Sequence, residues 1–120
     1  MPFMFENLEV YKKSVDFAEM IINLTDGFPK GYYFLTDQLN RASLSILTNI
    51  AEGNGRFTKK DRRNFFIIAR GSAQECVPLL EIAKRKKLVS DVKLSGMYNQ
   101  LEVISKMISG LLKGLERRKE

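Results

Sequence analysis

The chain contains no histidine and a single cysteine, Cys76. One copy of it therefore cannot build a Cys/His zinc site or a Ser-His-Asp or Cys-His nucleophile pair. A lone cysteine cannot close an internal disulfide, which fits a cytoplasmic setting. No apolar run approaches the ~20 residues that span a bilayer. The opening MPFMFENLEVYKK lacks the basic start and long apolar stretch of a secretory signal. No catalytic residue, cofactor, metal or membrane contact is expected.

What is present is enough for one domain over residues 1–120. The chain is 44% hydrophobic and 28% charged, so it can bury a core. Its net charge of +6 is unevenly placed: residues 1–55 carry 4 basic and 7 acidic groups, residues 56–120 carry 16 and 7. A basic half points to a polyanion or an acidic partner, or simply to a solvated basic surface.

The pattern is helical throughout, without strand alternation, repeats or low-complexity segments. A first helix is predicted over residues 8–25, with Tyr11, Val15, Ala18, Ile22 and Thr25 facing inward. DGFPKG ends it, Gly27 being the C-terminal glycine. A second is predicted over residues 36–53, capped by Thr36 and lined by Leu35, Leu39, Ala42, Ile46 and Ile50. Gly53 or Gly55 would supply a left-handed end.

A third helix follows the cap residue Thr58. Phe65, Ile68, Ala69, Ser72, Cys76, Leu79 and Ala83 form its expected core stripe. Phe66, Ala73, Val77 and Leu80 form a second apolar strip, expected at a subunit interface. Pro78 is expected to bend it. In the last helix Leu94, Met97, Leu101, Ile104, Ile108, Leu111 and Leu115 recur at steps of three and four. Asp91 is expected to cap its start, and Arg117, Arg118 and Lys119 suit its C-terminal dipole.

Short connections make an all-α, antiparallel up-down-up-down four-helix bundle the simplest architecture. Register across helices two and three predicts an Arg41–Glu75 ion pair. The same register sets the small residues Ala42, Ser43 and Ser45 against Ala69, Ser72 and Ala73.

NIAEGNGRFTKKD, from Asn49 to Asp61, raises the question of a phosphate loop. A Walker loop follows a strand and has a different glycine spacing. Here the glycines follow a helix, and a helical corner accounts for them. A second reading concerns charge alone. Arg56, Lys59, Lys60, Arg62 and Arg63 gather at a helix start, where free N–H groups favour phosphates. Lys84, Arg85, Lys86 and Lys87 close the same helix. Solvated helix ends are the alternative. Glu52 and Glu75, the acids in the small-residue stretches, fall at different levels and suit structural pairing better than acid–base work.

DQLNRASLSILTNIAEGNGR and FFIIARGSAQE, with FENLEVYKKSVDFA and FPKGYYFLTDQ, resemble the bacterial four-helix bundle proteins encoded in insertions of 23S ribosomal RNA genes. The resemblance covers nearly the whole chain. Its pattern falls on Gln38, Arg41, Ala42, Ser45, Asn49, Ile50, Ala51, Glu52, Gly53 and Arg56, then on Gly71, Ser72 and Glu75. It implies a non-enzymatic homo-oligomer, with pentameric barrels the best-known assembly. A related branch, accessory proteins of diversity-generating retroelements, implies a basic barrel that contacts RNA or DNA and a protein partner. Many relatives have a proline where this chain has Leu47, so the usual bend in helix two is not expected.

Overall fold

The computed structural model describes residues 4–117, so Arg118 and Lys119 lie outside the described residues. Four helices make up the fold: α1 (Glu9–Asp26), α2 (Tyr33–Asn54), α3 (Lys59–Arg85) and α4 (Asp91–Glu116). Short 3-10 helices at Met4–Asn7 and Lys30–Tyr32 precede α1 and α2.

Each helix packs on its neighbour in sequence, and α1 closes the square on α4, while among the described residues the backbones of the diagonal pairs do not approach one another. This is the antiparallel up-down-up-down bundle expected from the short connections. The α2–α3 contact is the broadest and the α1–α4 contact the thinnest.

The core stripes follow the helical period, with shifts in phase from the expected ones. In α1 the buried residues are Val10, Ser14, Phe17, Ala18, Ile21 and Thr25. Tyr11 and Ile22 are half-buried, and Val15 is exposed. Ala18 and Thr25 are buried as expected, and the buried polar Ser14 is what disguises the rest of the stripe. Ser14 donates to the Val10 carbonyl at 2.7 Å, and Thr25 reaches Asn40 Oδ1 of α2 at 2.8 Å. Both hydroxyls are thus satisfied without water.

In α2 the predicted stripe of Leu35, Leu39, Ala42, Ile46 and Ile50 is buried, joined by Ser43 and Gly53. The helix starts earlier than expected. The 3-10 turn after Pro29 feeds directly into it, so Thr36 is helical and not its cap. The α2 helix runs unbroken past Leu47 to Asn54, and Gly53 lies inside it. Neither Gly27 nor Gly55 is left-handed, with φ of −87° and −86°. The left-handed residue is Lys87, at φ 61°, in the α3–α4 turn. There Leu88 N–H reaches back to the Ala83 carbonyl at 2.9 Å, closing the end of α3.

Thr58 caps α3 as expected, accepting from Asp61 N–H at 3.1 Å. In α3 the expected core stripe holds at Ala69, Ser72, Cys76 and Ala83 and is displaced at Phe65, Ile68 and Leu79. Phe66, Ala73 and Leu80, expected at an interface, are core, together with Ala69, Ser72, Cys76 and Ala83. Ile68 is 44% exposed and Val77 42%, and Phe65 and Leu79 are half-buried. The helix continues through Pro78, which sits on the exposed side. In α4 every predicted seam residue is buried except Leu111, whose place is taken by Leu112. Ser90, not Asp91, caps it, accepting from Lys93 N–H at 3.2 Å.

Candidate nucleic-acid interface

The α2–α3 seam is held by a ladder of polar contacts between small side chains. At its upper rung Arg41 Nη2 donates to Gln38 Oε1 at 2.8 Å and to the Glu75 carboxylate. The Arg41 and Glu75 side chains are 57% and 38% exposed, so the predicted pair fixes register at the surface rather than in the core. One turn down, the Ser45 and Ser72 hydroxyls meet at 2.8 Å. Asn49 Nδ2 donates to Ser45 Oγ at 3.0 Å and to the Ser45 carbonyl at 2.8 Å. At the bottom, Gly53 lies under the Phe66 ring.

The lowest rung leads into the corner where α2 passes to α3. Glu52 holds Arg56 Nη2 at 2.9 Å, and the Arg56 guanidinium lies 4.6 Å from the Phe65 ring centre. Arg62 Nε donates to the Arg56 carbonyl at 2.7 Å, bracing the turn. Arg56 and Arg62 are therefore partly structural. Lys60 and Arg63 are exposed, and Lys59 is half-buried. Among them Phe57 is 97% exposed, an aromatic ring that packs on little among the described residues.

Arg63 of the first turns of α3 and Lys113 of the last turns of α4 line one hollow with Arg70, Ser109 and Glu116. A larger hollow of about 610 Å³ continues from it along the α3–α4 seam. Arg70 and Lys106 border that one, and Gly71, Ser105, Ser109 and Gly110 are among its lining. A third hollow extends it past Gln74 to Val77, Tyr98 and Glu102. Arg70 Nη1 donates to Ser109 Oγ at 3.2 Å across the seam, and Lys106 Nζ lies 3.4 Å from Glu102. Burial, with Glu81 nearby, raises the Tyr98 phenol above its usual value.

The second cluster stands at the far end of α3, whose 27 residues span about 40 Å. Arg85 pairs with Glu81 at 3.3 Å, while Lys84, Lys86 and Lys87 are exposed. The structure thus separates the two clusters found by sequence. It joins the lower one to Arg70, Lys106 and Lys113, which sequence reading missed. Their signal was available in part. Arg63 and Arg70, and Lys106 and Lys113, are each seven residues apart, which sets each pair on one helix face.

Of the remaining motif residues, Gly71 has, beyond the backbone of its own helix, no described atom within 4 Å of where a Cβ would stand. The Cys76 thiol is fully buried, and burial, with Glu75 beside it and against Arg41, pushes it up to about 12. Among the described residues no three Cys, His, Asp or Glu side chains gather at metal-binding distance. No helix among them is long and apolar enough to cross a membrane.

The family model of the 23S rRNA-intervening sequence protein matches residues 6–110. Among solved structures, the chain is similar to a protein with unknown function from the S23 ribosomal protein family of Bacteroides thetaiotaomicron VPI-5482. The two share 26% identity and superpose with a TM-score of 0.81, covering 87% of this chain and 98% of that one. No curated protein matches it.

Proposed function

The chain belongs to the 23S rRNA-intervening sequence protein family, and from that premise we propose that it is a non-enzymatic, self-associating scaffold of the cytoplasm that binds nucleic-acid phosphates through its basic lower end. The observation that carries the reading is Phe57, 97% exposed in a corner that also holds Arg56, Lys59, Lys60 and Arg63. A ring left in water beside several cations is the composition of a single-strand platform: the cations meet phosphates and the ring meets a base. Lys84, Lys86 and Lys87 offer a second, weaker binding surface at the other end.

A gel-shift salt series tests this. Binding should be strong at ~50 mM salt and fall steeply toward ~200 mM, because counterion release drives it. Changing Arg56, Lys59, Lys60, Arg62 and Arg63 together to glutamate should weaken the shift at least ~10-fold, leaving only the weaker binding of the other cations. A fully folded variant that shifts nucleic acid as well as the parent would overturn the reading.

A second reading, self-assembly or protein docking without nucleic acid, draws on the outer α2–α3 side. Phe34, Ile68 and Ile82 are 60%, 44% and 44% exposed there. Light scattering beside the gel shift separates the two. An oligomer that ignores RNA and DNA at low salt supports the second reading.

A further inference from the structure

We propose that the α3–α4 groove is a track for a single nucleic-acid strand, with its phosphates on Arg63, Arg70, Lys106 and Lys113 and its bases against Ile67, Val77 and Tyr98. This rests on the reading of the basic lower end and carries it along the bundle.

Three adjoining hollows share lining residues and form one depression along the seam. Arg63 and Lys113 border its lower end, Arg70 and Lys106 its middle, and Val77 and Tyr98 its upper end. On each wall the two cations stand two helical turns apart, about 10.5 Å along the axis. The pairs therefore face one another as a double row rather than as a single spot, which suits a chain carrying a charge at every repeat. The acids on the groove are Glu116 at its foot, Glu102, which is shared with Lys106, and Glu81, close enough to Tyr98 to act on it at the upper end. They leave the rows in cationic excess.

The floor permits close approach. Gly71 and Gly110 line the same hollow, and beyond the backbone of its own helix neither has a described atom within 4 Å of where a Cβ would stand. Glycine inside a helix costs stability relative to alanine, and no packing within the protomer requires it at either place. Ser105 and Ser109 add hydroxyls that can donate to phosphate or sugar oxygens.

The apolar groups favour a single strand over a duplex or an acidic protein. Ile67 is 40% exposed between Arg63 and Arg70, Val77 is 42% exposed, and Tyr98 presents a half-buried ring. Bases in a duplex are stacked away from such groups, whereas those of a single strand can lie on them. RNA and DNA strands share this chemistry.

The experiment is fluorescence anisotropy at low salt with labelled single-stranded RNA, single-stranded DNA, duplex DNA and polyglutamate. It uses the whole chain and three variants: Lys106→Glu/Lys113→Glu in the groove, Lys59→Glu/Lys60→Glu in the corner, and Ile67→Ser. All altered side chains in the groove are exposed, and circular dichroism checks that each variant folds. The groove variant should bind single strands at least ~10-fold more weakly, and its salt slope should fall by about 0.7 for each phosphate it no longer neutralises. Ile67→Ser should weaken single-strand binding ~3-fold or more and leave duplex binding unchanged, since stacking and apolar packing act only on open bases. The RNA and DNA arms read which strand is preferred.

Groove variants that bind like the parent, while the corner variant fails, would overturn the track and leave the proposed function standing. Equal or tighter binding of duplex or polyglutamate would overturn the single-strand assignment. A parent chain that binds no nucleic acid would remove both.

Discussion

A Cβ on Gly53 would stand 2.6 Å from Cε1 of Phe66, so the α2 backbone and the α3 ring meet at a distance that only glycine allows. The Phe65 Cβ at 3.2 Å closes the other side. Helix propensity alone would reward alanine here by about 1 kcal/mol. The overlap falls on a buried ring, 3% exposed, that has little room to move. Gly53→Ala should therefore destabilise the bundle by about 1–3 kcal/mol, as overpacked cores do. Gly96→Ala in α4, where the Cβ meets no described atom within 4 Å beyond the backbone of its own helix, should stabilise it by about 0.5–1 kcal/mol. Urea unfolding of the two variants checks the opposite signs.

The Arg41–Glu75 pair joins α2 to α3 at the surface, with Gln38 as a third partner. Solvent screens it, so a double-mutant cycle with Arg41→Ala and Glu75→Ala should give a coupling of about 0.5–1 kcal/mol that shrinks with added salt. A coupling several times larger, or insensitive to salt, would contradict the half-exposed geometry.

Lys87 holds a left-handed backbone, φ 61°, to close the end of α3. That conformation costs an L-residue about 1 kcal/mol and glycine much less. Lys87→Gly should raise stability by about 0.5–1 kcal/mol after its own entropy loss, with an unchanged denaturant slope. A lower urea midpoint would show that the lysine side chain contributes more than the backbone strain removes.

Cys76 offers a test in pH. Its thiol is pushed from 9.0 to about 12 in the folded chain. The native state thus keeps its proton where the unfolded chain has released its own. This contribution is intact below pH 9 and is lost as pH rises from 9 toward 12. Between those values the parent should lose stability faster than Cys76→Ala, whatever the offset between the two at neutral pH. The same thiol should resist modification at about pH 8 until the protein is unfolded.

The sequence made some of this legible and hid the rest for definable reasons. The α4 seam and the α2 stripe could be read because their buried positions are nearly all apolar. The α1 stripe was displaced because Ser14 is buried with an internal hydrogen bond, and periodicity counts it as outward, whereas Ala18 and Thr25 were read as inward and are buried. In α3 both apolar strips have the right spacing, and only packing on α2 and α4 decides that Phe66, Ala73 and Leu80 go inside. Arg41–Glu75 followed from register across one short corner. The α3–α4 groove did not, because setting Arg70 beside Ser109 depends on the second corner, at Lys87, and on the twist between two long helices. Phe57 went unnoticed because an exposed aromatic leaves no periodic trace.

The four seams are unequal, broad between α2 and α3 and thin between α1 and α4. A square held this way opens along its weakest side. The helical hairpin of α2 and α3 will keep its amide protons longest, and α1 and α4, which share the thin seam, will exchange before it. Hydrogen exchange resolved by segment reads that order directly. It also marks the α1–α4 side as the one through which the bundle's interior can be reached without unfolding it.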